Sequence, residues 1–360
     1  PDGRWYRRSD GSHPFILGNT HYTFLSRRDD RGRICCDPVR DIRQNARYYK
    51  KLRFSLFAGR YPDPQLKPFL DDAGRPTDDG RFALRPNPAW FHERVDPVVA
   101  EGFAQDLVCD LILCGPDTPA SRSTLKHHPR PWLRYVAARY GAYPNVWFCL
   151  ANEWDIKRPS YTAQEIQDAG TYLRSCLAYP TPISVHGKPR GWRPELSGAW
   201  HDHVIIQYKV KRLDRAADAI AQAFAAGRGK PVVNDENGYQ GKGDHFTLAD
   251  VVEGCLGTLL GGGYPTTGEK YAQKKGQYFW GGFEPQSHTA TKHLAFLRRY
   301  LEDNVAFWRL APIPLAKAPF GNCPRGFRLL GRHGAEYPVS YTHLRAHETS
   351  LHLVCRLLLE

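Results

Sequence analysis

Residues 143–153 read TyrProAsnValTrpPheCysLeuAlaAsnGlu. Val146 to Ala151 is an unbroken apolar run, bounded by Tyr-Pro before it and Asn-Glu after it. A short, continuous apolar run of this kind reads as a strand buried on both faces, as in parallel sheets covered by helices. Upstream, residues 106–114 (DLVCDLILC) form a second such run, and residues 131–140 between the two have helical spacing. The unit is therefore strand, helix, strand.

The same alternation extends in both directions. Toward the N-terminus, residues 14–18 (PFILG) and 54–58 read as the first two strands. Residues 41–52 between them read as a helix, with Ile42, Ala46, Tyr49 and Leu52 on one face. Residues 61–87 are a long excursion rich in Pro, Gly and Asp, and residues 88–101 return to helix with Pro in the first turn. Toward the C-terminus, strands are expected at 182–185, 203–208, 231–234 and 262–264. Helices are expected at 163–178, 213–226, 248–260 and 288–304. Eight strand–helix units in about 300 residues predict an α/β fold, a (β/α)8 TIM barrel. A doubly wound sheet would want a glycine-rich phosphate turn after its first strand, and Gly18-Asn19-Thr20-His21 is not one.

The chain has 360 residues, of which 41% are hydrophobic and 12% aromatic, too many for a disordered protein. No run approaches 18 apolar residues, so no transmembrane helix is expected. The net charge is +13, but Lys and Arg are scattered rather than clustered, which argues against a nucleic-acid partner. There is no Met, and the chain begins Pro1-Asp2-Gly3, so a fragment is expected. Its localisation stays open between secreted, periplasmic and cytoplasmic. Residues 338–360 end it oddly: 339–349 resemble a translated transposase sequencing adapter, and 353–360 the flow-cell end of the same adapter. The expected organisation is a catalytic barrel over 1–304, the truncated start of a C-terminal β-domain over 305–337, and a non-native tail over 338–360. Setting the tail aside removes Cys355. Cys109, Cys114 and Cys149 lie in apolar runs and read as small buried hydrophobes, and no CxxC occurs.

Catalytic groups in such barrels lie at the C-terminal ends of strands. The fourth strand ends in Asn152-Glu153-Trp154 and the seventh in Asp235-Glu236-Asn237-Gly238-Tyr239. Two carboxyls facing each other across one cleft are what glycosidic cleavage requires. Asp235 rivals Glu236, but adjacent strand residues point to opposite faces, so only one of them faces the cleft. His201-Asp202-His203 has metal-ligand spacing but precedes the sixth strand, at the wrong barrel end, and reads as a solvated pair.

Asn152-Glu153 with Glu236 resembles the signature of clan A retaining glycoside hydrolases. The wording of 143–153 and of 231–239 (ProValValAsnAspGluAsnGlyTyr) is similar to the apiosidase-like, collagenase-labelled branch of that clan, as is Tyr278-Phe279-Trp280-Gly281-Gly282. The resemblance covers about residues 3–337. It implies Glu153 as general acid/base, Glu236 as nucleophile and Asn152 as a donor to the sugar 2-hydroxyl. It also implies that Tyr208, at the end of the sixth strand, sets its hydroxyl against Glu236. Further sugar contacts are expected from Asn19, His21, His186, Tyr239, Trp154 and Trp280; each has packing as its alternative role. Arg60, Trp192 and Trp200 are weaker candidates, and Asp110 and Asp117 have no role assigned. The expected partner is a plant or microbial carbohydrate, with no cofactor, metal or membrane needed and with the oligomeric state open. The rival reading is a catalytically silent carbohydrate-binding barrel, which would be expected to have lost one carboxylate.

Overall fold

The computed structural model describes residues 3–22, 24–26, 37–57, 66–115, 118–188, 198–240, 246–268, 283, 289–314, 328–332 and 339–340. Eight strands run β1 Gly18–Thr20, β2 Lys51–Ser55, β3 Val108–Ile112, β4 Val146–Cys149, β5 Ile183–Ser184, β6 Val204–Ile206, β7 Val232–Asn234 and β8 Tyr264–Thr267. All pairings among them are parallel, in the order 5-4-3-2-1-8-7-6. The remaining seam, between β5 and β6, is bridged by Asp202. Its N–H donates to Ile183 O (2.9 Å), and its Oδ2 accepts from Ile183 N–H (2.7 Å). The result is a nearly closed (β/α)8 barrel.

Among the described residues, the longer helices lie outside it: α1 Pro38–Ala46, α2 Asp96–Ala104, α3 Pro129–Tyr140, α4 Ala163–Cys176, α5 Leu213–Ala226, α6 Leu248–Leu260 and α7 Thr289–Asn304. Local chemistry accounts for their ends. Thr162 and Glu165 form a reciprocal capping box on α4, and Thr247 and Asp250 one on α6. On α5, Leu213, Ala216, Ala217, Ile220 and Ala223 recur at helical spacing and are buried. None of the helices in the described residues is long and apolar enough to cross a membrane.

The first two units differ from the sequence reading. Strand β1 begins at Gly18, where the expected strand ended. Helix α1 stops at Ala46, and Lys51, Leu52 and Arg53, expected at a helix end or just beyond it, belong to β2. The reason is the inside of the barrel. Leu52 and Phe54 face outward into the main apolar cluster with Leu111, Phe148 and Trp90, while Lys51 and Arg53 point inward and are fully buried. Lys51 bonds Asp110 (3.2 Å) and Asp235, and Arg53 approaches Asp235 (3.5 Å). Gly18 makes room for this cluster: a Cβ there would lie 2.4 Å from Thr266 Oγ1 and 2.8 Å from Lys51 Cε.

Below the ions, Tyr6 plugs the N-terminal mouth. Its hydroxyl bonds His203 Nδ1 (2.7 Å), and its ring lies 4.8 Å from that of Trp147. His201 and His203 are thus buried, not solvated. Cys109, Cys114, Cys149 and Cys255 are buried free thiols.

After α7, strands β9 Ala311–Ile313, β10 Arg328–Gly331 and β11 Val339–Ser340 form an antiparallel sheet. It is docked on the barrel: Leu330 joins the cluster of Trp5, Leu256 and Leu259, and Arg328 pairs with Asp218 of α5 (2.6 Å).

Candidate active site

Glu153 and Glu236 converge beyond the C-terminal ends of β4 and β7. The Gln207 amide nitrogen, just after β6, donates to Glu153 Oε1 at 3.0 Å and to Glu236 Oε2 at 2.7 Å, so these two oxygens can be no more than 5.7 Å apart. Each carboxylate also meets a lysine: Lys157 Nζ lies 3.0 Å from Glu153 Oε2, and Lys209 Nζ 3.1 Å from Glu236 Oε2.

Glu236 is buried against a relay. The Tyr22 hydroxyl donates to its Oε1, and Arg53 donates to the Tyr22 oxygen (3.0 Å). Burial opposes ionisation of Glu236, but His186, Lys209, Tyr22 and Arg53 together outweigh it and hold its carboxyl down to about 2. Burial pushes the His186 imidazole down to about 4, so near neutral pH its share is absent and the lysine, the phenol and the guanidinium are the groups that still favour the charged form. Burial first, and the Glu236 charge second, keep Tyr22 a neutral phenol and therefore a donor. Asp235 points the other way, into the barrel, where Lys51 and Arg53 oppose the cost of burying its charge and hold it ionised. Gly238, at φ 135°, turns the chain after Glu236; a Cβ there would lie 2.5 Å from the Phe246 ring.

Glu153 sits at φ 48°, a left-handed conformation uncommon for a side chain of this size. Arg122, 1% exposed, fixes that turn, donating to the carbonyls of Asn152 (2.6 Å), Glu153 (3.3 Å) and Lys157 (3.2 Å). Asn152 is oriented by Arg53, which donates to its Oδ1 (2.7 Å). The amide NH2 of Asn152 is the group the sequence reading assigned to the sugar. His186 Nδ1 accepts the Glu153 backbone N–H (3.3 Å), which places the ring proton on Nε2.

The other expected residues divide. Tyr239, 1% exposed, joins Tyr22, Ile112, Cys149 and Ile205 in a small cluster, with the Lys209 ammonium 4.4 Å from its ring centroid. Tyr208 does not supply the hydroxyl on Glu236. Alternation along β6 sends Gln207 inward and Tyr208 outward, where it lines a pocket with Arg215, Asp218 and Gln222 of α5. The contact comes from Tyr22 instead. Asn19 and His21 face α1 for the same reason. The Asn19 amide bonds Asn45 Oδ1 (2.6 Å), and His21 packs against Phe24 and Phe283. Trp154 is 3% exposed, inside the main apolar cluster, with no open ring face for a sugar. Trp200 is in the same cluster. Trp280, Trp192 and Arg60 lie outside the described residues.

The sequence reading missed Tyr22, Gln207, Arg53, Arg122, Lys157 and Lys209. Tyr22 and Gln207 had a signal: each occupies an inward register position at a strand's C-terminal end.

Fold and site together define a class of domain: a (β/α)8 barrel with two carboxylates facing each other at the C-terminal ends of its strands. Within that class, the chain belongs to the apiosidase-like catalytic-domain family, whose model matches residues 1–255. No curated protein matches it. Among solved structures, a candidate glycoside hydrolase from Bacteroides vulgatus ATCC 8482 superposes with TM-score 0.69 at 22% identity, covering 83% of this chain and 60% of that one. The chain therefore spans less than two thirds of that protein. A family 5 glycoside hydrolase from the same organism superposes with TM-score 0.66 at 16% identity, covering 91% of this chain and 77% of that one. A third, named simply glycoside hydrolase, superposes with TM-score 0.70 at 15% identity, with 91% and 79% covered. At these identities the likeness concerns the fold.

Proposed function

We propose that the chain is the catalytic part of a retaining glycoside hydrolase that cleaves O-glycosidic bonds of a plant or microbial polysaccharide or oligosaccharide. Residues 1–304 carry the reaction, 305–337 begin a β-domain, and 338–360 are a non-native tail whose Val339 and Ser340 pair with β10 of that domain. In the first step Glu236 attacks the anomeric carbon while Glu153 gives its proton to the departing oxygen; the glycosidic bond breaks and a glycosyl-Glu236 ester forms. In the second step Glu153, now a carboxylate, takes a proton from water as the water oxygen attacks the same carbon and releases Glu236. In this reading Asn152 and His186 Nε2–H donate to sugar hydroxyls.

The observation that carries this reading is the shared amide. It limits the facing oxygens to 5.7 Å. Retaining pairs stand about 5–5.5 Å apart, whereas inverting pairs need about 6.5–9.5 Å to admit a water. The strong bias of Glu236 toward its charged form suits a nucleophile.

The test uses a panel of 2,4-dinitrophenyl α- and β-glycosides, pyranosides and furanosides. The sugar that turns over is then followed by proton NMR. The first product formed should have the substrate's anomeric configuration. Inversion would overturn the mechanism, and binding without turnover of any member would favour a silent carbohydrate-binding barrel.

A further inference from the structure

Gln207 Nε2 is the donor common to both carboxylates, while Gln207 Oε1 is buried and has no hydrogen-bond partner among the described residues. We propose that Gln207 is a positioning residue for the reaction: its NH2 group spaces Glu153 from Glu236, and its Oε1 accepts a hydroxyl of the bound sugar. The inference rests on the two-carboxylate reading above.

An amide suits this place better than the other polar side chains. It offers two hydrogens from one nitrogen, one for each carboxylate, diverging in a fixed plane. A hydroxyl has a single hydrogen and serves one carboxylate. A lysine would add a third cation beside Lys157 and Lys209 and favour charge on both carboxylates, whereas Glu153 has to hold a proton in the first step. The amide is neutral, so it donates to Glu153 Oε1 whether or not Oε2 carries the proton. The acceptor side is equally specific. A buried carbonyl without a partner is costly, and here it adjoins the carboxylates, where the sugar must lie. A sugar hydroxyl on Oε1 would fix the amide plane, so that substrate binding and carboxylate spacing depend on one side chain. The neighbouring imidazole is consistent with this, because His186 Nε2 is also buried without a partner among the described residues and supplies a donor where Gln207 supplies an acceptor.

The test compares wild type, Gln207→Leu and Gln207→Asn on the dinitrophenyl glycoside that wild type cleaves fastest and on the phenyl glycoside of the same sugar. Leucine keeps the volume and removes both polar functions; asparagine keeps the amide but is one methylene too short to reach both carboxylates. The melting temperature should stay close to wild type in at least one variant. In that variant kcat should fall about 100-fold on both substrates, the size of effect a misplacement near 1 Å produces. The acid limb of kcat/KM should also move to higher pH, because Glu236 has lost a donor to its charged form. A folded variant with kcat/KM within threefold of wild type and an unchanged pH profile would overturn the inference. If wild type cleaves no member of the glycoside panel, the underlying glycosidase reading fails instead, and the inference falls with it.

Discussion

Glu153 and Glu236 share one donor but not one environment. Glu236 is enclosed by Tyr22, Lys209 and Gln207, all favouring its charge. Glu153 is set on a left-handed turn held by Arg122, with its carboxylate 3.0 Å from Lys157 at the cleft edge. The two groups should therefore fail differently. Glu153→Gln cannot donate a proton, so cleavage of the phenyl glycoside should slow by about 100-fold or more. Formation of the intermediate from the dinitrophenyl glycoside should be nearly unaffected, since that leaving group needs no proton. Single-turnover rates separate the two; equal losses would remove Glu153 from the acid role.

At the scale of elements, β2 is the strand that most shapes the site. Lys51 and Arg53 reach across the barrel to Asp110 and Asp235, and Arg53 continues upward to Tyr22 and Asn152. Removing one partner from a buried ion cluster leaves charge uncompensated, here on Asp110 above all, since Arg53 still faces Asp235, at a cost of about 3–5 kcal/mol. Lys51→Met should lower stability in urea unfolding by that amount; a loss under 1 kcal/mol would mean that Asp110 and Asp235 accommodate each other without it. This strand also marks the limit of what the sequence made legible. The outward apolar faces of β3, β4, β6 and β7 are visible as runs, and helices α5 and α6 as periodic stripes. The inward face of β2 is not, because Lys51 and Arg53 look like solvent-facing residues until the carboxylates opposite are in place. At the strand ends, Glu153 and Glu236 stood out by residue type and barrel position. Asn19, His21 and Tyr208 were assigned to the wrong face, since a one-residue difference in register reverses which side chain looks inward.

For the whole molecule, the buried imidazoles make stability depend on pH. His186 is held to about 4 and His203 to about 3, both by burial, and His201 is also lowered, against a reference of 6.5. The unfolded chain takes up these protons below about pH 6.5 and the folded chain does not, so their contribution to stability falls as pH drops from 6.5 toward 4. His186 alone accounts for about 3 kcal/mol of that change. Asp110 and Asp202, raised by burial, act in the opposite sense through the carboxylate range. The difference in urea stability between pH 7 and pH 5 should therefore shrink in His203→Asn; an unchanged difference would show that His203 already titrates in the folded protein. The proposed covalent intermediate forms on one carboxylate, and the direct measurement is mass spectrometry after incubation with a 2-deoxy-2-fluoro glycosyl fluoride of the sugar found to turn over. One added glycosyl mass is expected, located on the peptide carrying Glu236 and absent from Glu236→Gln. A label on Asp235 or Glu153, or rapid hydrolysis of the sugar with inversion and no label, would contradict it.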